Sequence, residues 1–362
     1  MRTRSPVALG AIGFLGAAVL TLAVACGDDD DGGNNDGGNN GSEPAATAPG
    51  GGGATNGPNL SGVVEIDGSS TVFPITEAVA EEFRNEAADV RVPVGVSGTG
   101  GGFSRFCEGE TDISDASRPI ETGDNSEAAT CEANGIEFIE VPVAYDGLSV
   151  VVHPNNDWVS CVTVEELNTI WSPDSEGVVS NWSDVNPDWP DEEIELYGPG
   201  TDSGTFDYFT EVINGAGGAS RTDYTPSEDD NVLVQGVAGD PNALGYFGLA
   251  YLEENQGRIQ GLEVDGGGGC VAPTEETVEN GTYSPLSRPL FIYIKVEAAE
   301  RPEVQAFVDF YLDNVPALAA DVGYVRFPDS FYEVIRGRWD SRETGSMFSG
   351  AAGSVGEILG VE

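Results

Sequence analysis

Three short stretches combine hydroxyls and glycines in a pattern suited to holding an anion. They are Gly68-Ser69-Ser70-Thr71-Val72-Phe73-Pro74, Ser97-Gly98-Thr99-Gly100-Gly101-Gly102-Phe103 and Gly198-Pro199-Gly200-Thr201-Asp202-Ser203-Gly204-Thr205-Phe206. Each follows an extended apolar run and leads into a segment with helical spacing. The first N–H groups of a helix have no intrahelical acceptor, and the helix dipole places partial positive charge at that end. Glycine lets the backbone approach an oxyanion, and serine or threonine adds a hydroxyl donor. One such loop is usually a plain turn or cap. Three in the same strand-loop-helix setting point to a shared oxyanion site.

The elements that must position these loops alternate along the chain. Val63-Val64-Glu65-Ile66 reads as a strand entering the first loop, after which Pro74 suits a first helical turn and Ile75, Ala78, Val79 and Phe83 recur at helical spacing. A strand over 92–96 enters the second loop, and 103–107 reads as a short helix. The extended piece 111–115 ends at Ala116-Ser117-Arg118-Pro119-Ile120, which puts Arg118 at a strand end rather than on a polar helix face. Residues 137–143 and 148–153 are strand-like and nearly continuous through Ala144-Tyr145-Asp146-Gly147, where the chain is expected to cross between domains. Thr163-Val164-Glu165-Glu166 is a capping box for a helix whose apolar face is Leu167, Ile170 and Trp171. Ile194-Glu195-Leu196-Tyr197 feeds the third loop, and Phe206, Phe209, Val212 and Ile213 mark the helix after it. A strand from Pro289 and an amphipathic helix carrying Val304, Phe307, Val308, Tyr311 and Leu312 follow. The Gly- and Ser-rich tail beyond Arg342 is expected to be poorly ordered outside one short helix. Alternation of this kind predicts an α/β architecture with largely parallel sheets and a ligand at the carboxyl ends of the strands.

The 362 residues exceed a single core, so two domains are expected. Arg2 and Arg4 precede an apolar stretch over 7–24 that stops at Ala25-Cys26 and is followed by Gly27-Asp28-Asp29-Asp30-Asp31, a secretory signal rather than a membrane span. Leu22-Ala23-Val24-Ala25-Cys26 resembles a bacterial lipobox, with Leu22 one place further upstream than the usual pattern. That implies lipidation of Cys26; an ordinary cleaved signal with an incidental cysteine is the other reading. Residues 27–60 read as a flexible tether. The four remaining cysteines suggest two disulfides in an oxidising compartment, and no Cys-x-x-Cys spacing supports a metal site. Of three pairings, Cys107–Cys131 with Cys161–Cys270 keeps each bridge within one expected domain.

A formal net charge of -47 argues against nucleic acid or an anionic membrane surface as partner. An anion site in such a chain must act by short-range hydrogen bonds. Lys295 is the only lysine, a composition that suits a salty medium where screening blunts repulsion. Hydrolysis fits poorly. Ser203 lacks the Gly-x-Ser-x-Gly elbow, the one histidine, His153, precedes Pro154 at a strand end, and Lys295 follows no glycine loop.

The chain resembles the phosphate-binding proteins of ABC phosphate importers over roughly residues 60–340. The resemblance is carried by Asp67-Gly-Ser-Ser-Thr-Val-Phe-Pro74, by 97–103, by Asp112-Ile-Ser-Asp-Ala-Ser-Arg-Pro119 and by 198–206. It implies a two-lobed periplasmic-binding-protein fold of the type II kind, a hinge, and phosphate held between lobes that close over it. By that resemblance lobe I comprises 60–144 plus 286–362 and lobe II 145–285. Thr71 with the N–H of Val72, Thr99, and Ser203, Gly204 and Thr205 fall on positions that bind phosphate in the family, and Ser70, Gly100 and Ser117 stand beside them. Two departures stand out: Ser117 replaces an aspartate, and Pro199 or Gly200 replaces an arginine. Arg118 is then the expected cationic ligand, since a guanidinium fork suits phosphate oxygens. The acceptor for the phosphate proton must be another carboxylate, with Asp202 favoured, then Asp146, and Asp115 as a third candidate. The resemblance further implies no cofactor, a monomer, an ABC permease as partner and a lipid anchor on the outer face of the cytoplasmic membrane. Sulfate or molybdate binding is the alternative, with a phosphatase less favoured.

Overall fold

The computed structural model describes residues 60–351 and 353–361. The expected signal segment, Cys26 and nearly all of the expected tether lie outside the described residues. No helix among the described residues is long and apolar enough to cross a membrane.

The largest sheet is built from two parallel halves joined by two long antiparallel strands. In the first half, Ile66–Gly68 pairs in parallel with Val94–Val96 on one side and Ile113–Ala116 on the other. In the second half, Glu195–Pro199 pairs in parallel with Ala243–Gly248 and with Thr225–Ser227. Between them run Phe138–Val152 and Ser287–Lys295. The second of these pairs antiparallel with Ile113–Ala116 and with the first part of 138–152, and Ala243–Gly248 pairs antiparallel with its last part. One 15-residue strand, buried throughout, therefore belongs to both halves. Its sequence has few polar positions because both faces are covered. The two strands expected on either side of Ala144 are thus one, with a register shift opposite Leu290/Phe291 that bends the pair.

Helices cover the sheet as their apolar spacing predicts. Phe73–Glu86 carries proline in its first turn and buries Ile75, Val79 and Phe83; Val164–Trp171 has the full Thr163/Glu166 capping box and buries Leu167, Ile170 and Trp171. Pro302–Asp321 buries Val304, Phe307, Val308, Tyr311 and Leu312. Both disulfides pair as expected, Cys107 with Cys131 and Cys161 with Cys270.

Three expectations change. The strand over 92–96 starts only after Pro93, which has no N–H to donate, as Val94–Val96, and a separate short strand, Val90–Arg91, precedes it. The second glycine stretch is not a loop before a short helix but the first turns of Gly98–Cys107. Glycine is needed there for packing, since a Cβ on Gly102 would sit 2.5 Å from the Gly68 Cα. The tail is not loose through residue 349. Backbone groups of Gly345, Met347 and Phe348 are held by Arg338 and the fully buried Glu140, and Phe348 is 4 % exposed.

Candidate functional site

A cavity of about 280 Å³ lies among the starts of two helices from the first half of the sheet and one flank of Gly204–Asn214 from the second. Ser69, Ser70, Thr71, Gly98, Thr99, Gly100, Ser117 and Arg118 line one side, and Asp207, Tyr208, Glu211, Gly217 and Arg288 the other. The helices Phe73–Glu86 and Gly98–Cys107 begin here at Val72 and Ser97, and neither residue makes a side-chain capping bond among the described residues. The Phe73 N–H donates to the Ser69 carbonyl and those of Ile75 and Thr76 to the Val72 carbonyl, so it is the start of Gly98–Cys107, with the loop N–H groups ahead of Phe73, that offers donors to a ligand.

Each hydroxyl of the lining has a partner. Thr99 Oγ1 receives the Ser117 N–H at 3.1 Å and lies 3.0 Å from the Ser117 hydroxyl. Ser69 Oγ accepts the Thr71 N–H at 3.2 Å, tightening the first loop. Across the cavity, the Ser70 hydroxyl donates to Asp207 Oδ2 at 3.1 Å and the Thr71 hydroxyl to the Gly204 carbonyl at 3.3 Å. The approach of the two sides needs glycine at 204, because a Cβ there would meet the Thr71 Cα at 2.6 Å.

Two arginines face this space. Arg118 is gripped by Glu127, Nη1 and Nη2 donating to its two carboxylate oxygens at 2.9 and 2.7 Å. That pairing, ahead of the opposing effect of burial, raises the guanidinium pKa further. Arg288 is the more buried cation, its side chain 15 % exposed. Its guanidinium carbon sits 3.5 Å over the Tyr208 ring, Nη2 donates to Thr71 Oγ1 at 3.1 Å, and Nε reaches Asp146 Oδ2 at 3.4 Å. Stacking on one side and a carboxylate behind hold the fork in one orientation. Burial pushes the Asp146 carboxyl up to about 6, with Arg288 opposing.

Residues 42–315 match the PBP superfamily domain. A protein named SphX from Synechocystis is 48% identical over 300 residues, 82% of this chain and 88% of that protein. A phosphate-binding protein PstS from Staphylococcus saprophyticus is 39% identical over 273 residues, 75% of this chain and 82% of that protein. The chain belongs to this phosphate-binding-protein family. Among solved structures, a possible phosphate binding protein from Planctomyces limnophilus is 49% identical, with a TM-score of 0.74, over 78% of this chain and 99% of that one. An ABC-type phosphate transport receptor from Vibrio cholerae shares the fold at 21% identity, with a TM-score of 0.56, over 72% of this chain and 99% of that one. The fold is the two-lobed α/β fold of periplasmic phosphate-binding proteins.

Of the residues singled out in the sequence, Ser70, Thr71, Thr99, Gly100, Ser117 and Arg118 come together in the cavity. Val72 stands just behind, fully buried. The third loop takes another place. Ser203 caps its own helix by accepting the Thr205 N–H at 3.2 Å, and Gly204 abuts Thr71, so Ser203, Gly204 and Thr205 do not line the cavity. Asp202 is exposed in the turn outside it. The same helix instead presents Asp207, Tyr208 and Glu211. Asp146 lies behind Arg288, and Asp115 is fully buried, with no partner for either carboxylate oxygen among the described residues. Burial pushes Asp115 up to about 8, against a smaller lowering by Thr76.

Ser69, Arg288 and Asp207 are absent from the sequence-based set. A signal for Arg288 was present: Ser-Arg-Pro occurs at 117–119 and again at 287–289, each time beside a strand end. Cys161, Glu263 and Cys270 approach one another closely enough to hold a metal, but both sulfurs are joined in a disulfide.

Proposed function

We propose that this chain captures inorganic phosphate in the cavity between its two sheet halves and delivers it to an ABC-type import permease. The observation that carries the reading is the convergence of two helix starts without side-chain caps, five serine and threonine hydroxyls and two arginines on one small space. Charged donors are worth about 1.5–3 kcal/mol per bond against about 1 for neutral ones. The arginines therefore supply most of the attraction, and the helix starts and hydroxyls set the tetrahedral fit. Arg288 and Arg118 are both assigned as ligands, with Thr71, Ser70, Thr99, Ser117 and the N–H groups near Val72 and Gly100. Near neutral pH phosphate keeps a proton and sulfate does not, so a carboxylate in the wall accepts from the first and repels the second. Asp207, aimed into the cavity and held by Ser70, takes that role in place of Asp202. In this reading 60–144 plus 286–362 and 145–285 are the two lobes, closing as a hinge. The chain works as an exported monomer tethered through lipidated Cys26 to the outer face of the cytoplasmic membrane. Binding and release need no catalysis.

Calorimetric titration with phosphate, arsenate and sulfate tests the reading. Tight binding of phosphate and weak binding of sulfate are expected. A protein that takes sulfate or molybdate in preference to phosphate overturns it.

A further inference from the structure

The C-terminal segment is tied to the anion site through one buried carboxylate. Glu140 and Tyr293 stand opposite each other on the two long antiparallel strands, and both are fully buried. Glu140 Oε1 accepts the N–H groups of Met347 and Phe348 at 2.8 and 3.2 Å. Its Oε2 accepts the Ser346 hydroxyl and, at 2.7 Å, the Tyr293 phenol. Arg338 braces the same place, donating from Nε to the Glu140 carbonyl at 3.0 Å and from Nη2 to the Gly345 carbonyl.

The Tyr293 oxygen in turn accepts the Ile120 N–H at 2.9 Å, two residues past Arg118. The Tyr293 ring meets Phe103 edge to face at 4.9 Å, and the Arg118 guanidinium lies 5.6 Å from the Phe103 centroid. A second thread joins the Ser349 and Thr122 hydroxyls at 2.9 Å. A buried ionised carboxylate is costly unless its lone pairs are filled, and apolar residues of similar size would pack such a place at least as stably. What apolar residues could not do is fix one hydrogen-bonded direction for the turn that carries Arg118.

We propose that Glu140 is a positioning residue for the anion site. It acts through Tyr293 and Ile120 to hold the Arg118 turn, and the segment 345–349 fixes Glu140 from behind. The binding role rests on the reading that Arg118 is a phosphate ligand; the ordering of the turn does not.

Two mild variants of the full chain, Tyr293→Phe and Ser346→Ala, test it by phosphate calorimetry and by amide hydrogen exchange of the ligand-free protein. Exchange over 118–122 is expected to quicken about tenfold or more in both, with helix Pro302–Asp321 unchanged. Tyr293→Phe is expected to weaken phosphate about tenfold in the parent, and less than about twofold when Arg118→Lys is already present. A merely structural role would lower the melting temperature in both backgrounds without that difference. Unaltered exchange, unaltered affinity, or the same loss in both backgrounds overturns the proposal. A parent protein that binds no phosphate while exchange still quickens overturns the functional reading and the binding role built on it.

Discussion

Arg288 Nη2 donates to the Thr71 hydroxyl at 3.1 Å, so the strand returning from the second sheet half fastens onto the first glycine-hydroxyl loop. Arg288→Ala is expected to weaken phosphate at least about 100-fold, close to 3 kcal/mol. It also leaves Asp146 buried without its cation, which costs about 3–5 kcal/mol where that carboxyl is ionised. With Asp146 pushed up to about 6, the stability loss shrinks in more acidic buffer. Adding Asp146→Asn should restore the melting temperature and leave phosphate binding weak. Recovery of both would show that Arg288 acts only on the fold.

Asp207→Asn is expected to narrow the preference for phosphate over sulfate by about tenfold or more, mostly through stronger sulfate binding, because it removes one repelled charge from the wall. Asp202→Asn, changing an exposed residue, should leave the ratio where it was. Competition titrations of both variants with the two anions decide between these carboxylates.

Gly204→Ala places a methyl against the Thr71 backbone, where neither side has a flexible atom to yield. Phosphate affinity is expected to fall about tenfold while the melting temperature of the ligand-free protein changes little, since the sheet is untouched. A variant with parental affinity would mean that the contact between Gly204 and Thr71 is not part of the bound form.

Asp115 gives a pH signature. Burial pushes its carboxyl up to about 8, from an ordinary value of 3.8. Between those values the folded chain holds a proton that the unfolded chain has lost, so stability falls as pH rises, by up to about 1.4 kcal/mol per unit. Above about 8 that contribution levels off. Asp115→Asn is expected to lower the slope of urea-unfolding free energy through this window, most visibly between about 7 and 8, because Asp230, pushed up to about 7, and Asp146, up to about 6, add to the slope only below those values. An unchanged slope would mean that the carboxyl stays ionised.

The disulfides differ in the chain they enclose, 24 residues apart in one and 109 in the other. Loop-closure entropy assigns about 3 kcal/mol to the shorter and about 5 to the longer. Replacing Cys161 and Cys270 together by serine should therefore lower the melting temperature more than the same change at Cys107 and Cys131, read by calorimetric scans.

Much of the site was legible in the sequence because its parts are local. Ser70, Thr71, Thr99 and Gly100 sit in short stretches whose composition announces a helix start, and Arg118 follows its strand directly. What could not be read depends on pairing between distant segments. Arg288 stands one residue before the apolar run that marked its strand, and only the antiparallel register brings it beside Asp146. Asp207 lies inside a helix, where an acidic residue in the first turn has an ordinary meaning. Ser203, whose hydroxyl accepts the Thr205 N–H, illustrates a further limit, since a capping serine and a ligand serine have the same sequence. Glu140, within Phe138-Ile139-Glu140-Val141, shows no local sign that four donors converge on it.

The single strand Phe138–Val152 shared by both sheet halves bears on how bound cargo would leave. In the hinge reading proposed above, the two halves would flex along an unbroken, buried ribbon. Among the contacts that join the two sides at the rim of the cavity are Ser70 to Asp207 and Thr71 to Gly204, beside the stacking of Arg288 on Tyr208. Water can replace each of these hydrogen bonds at about 0.5–1.5 kcal/mol. A docking protein that pulls the rim apart would therefore work against contacts of this modest size rather than against the strand itself.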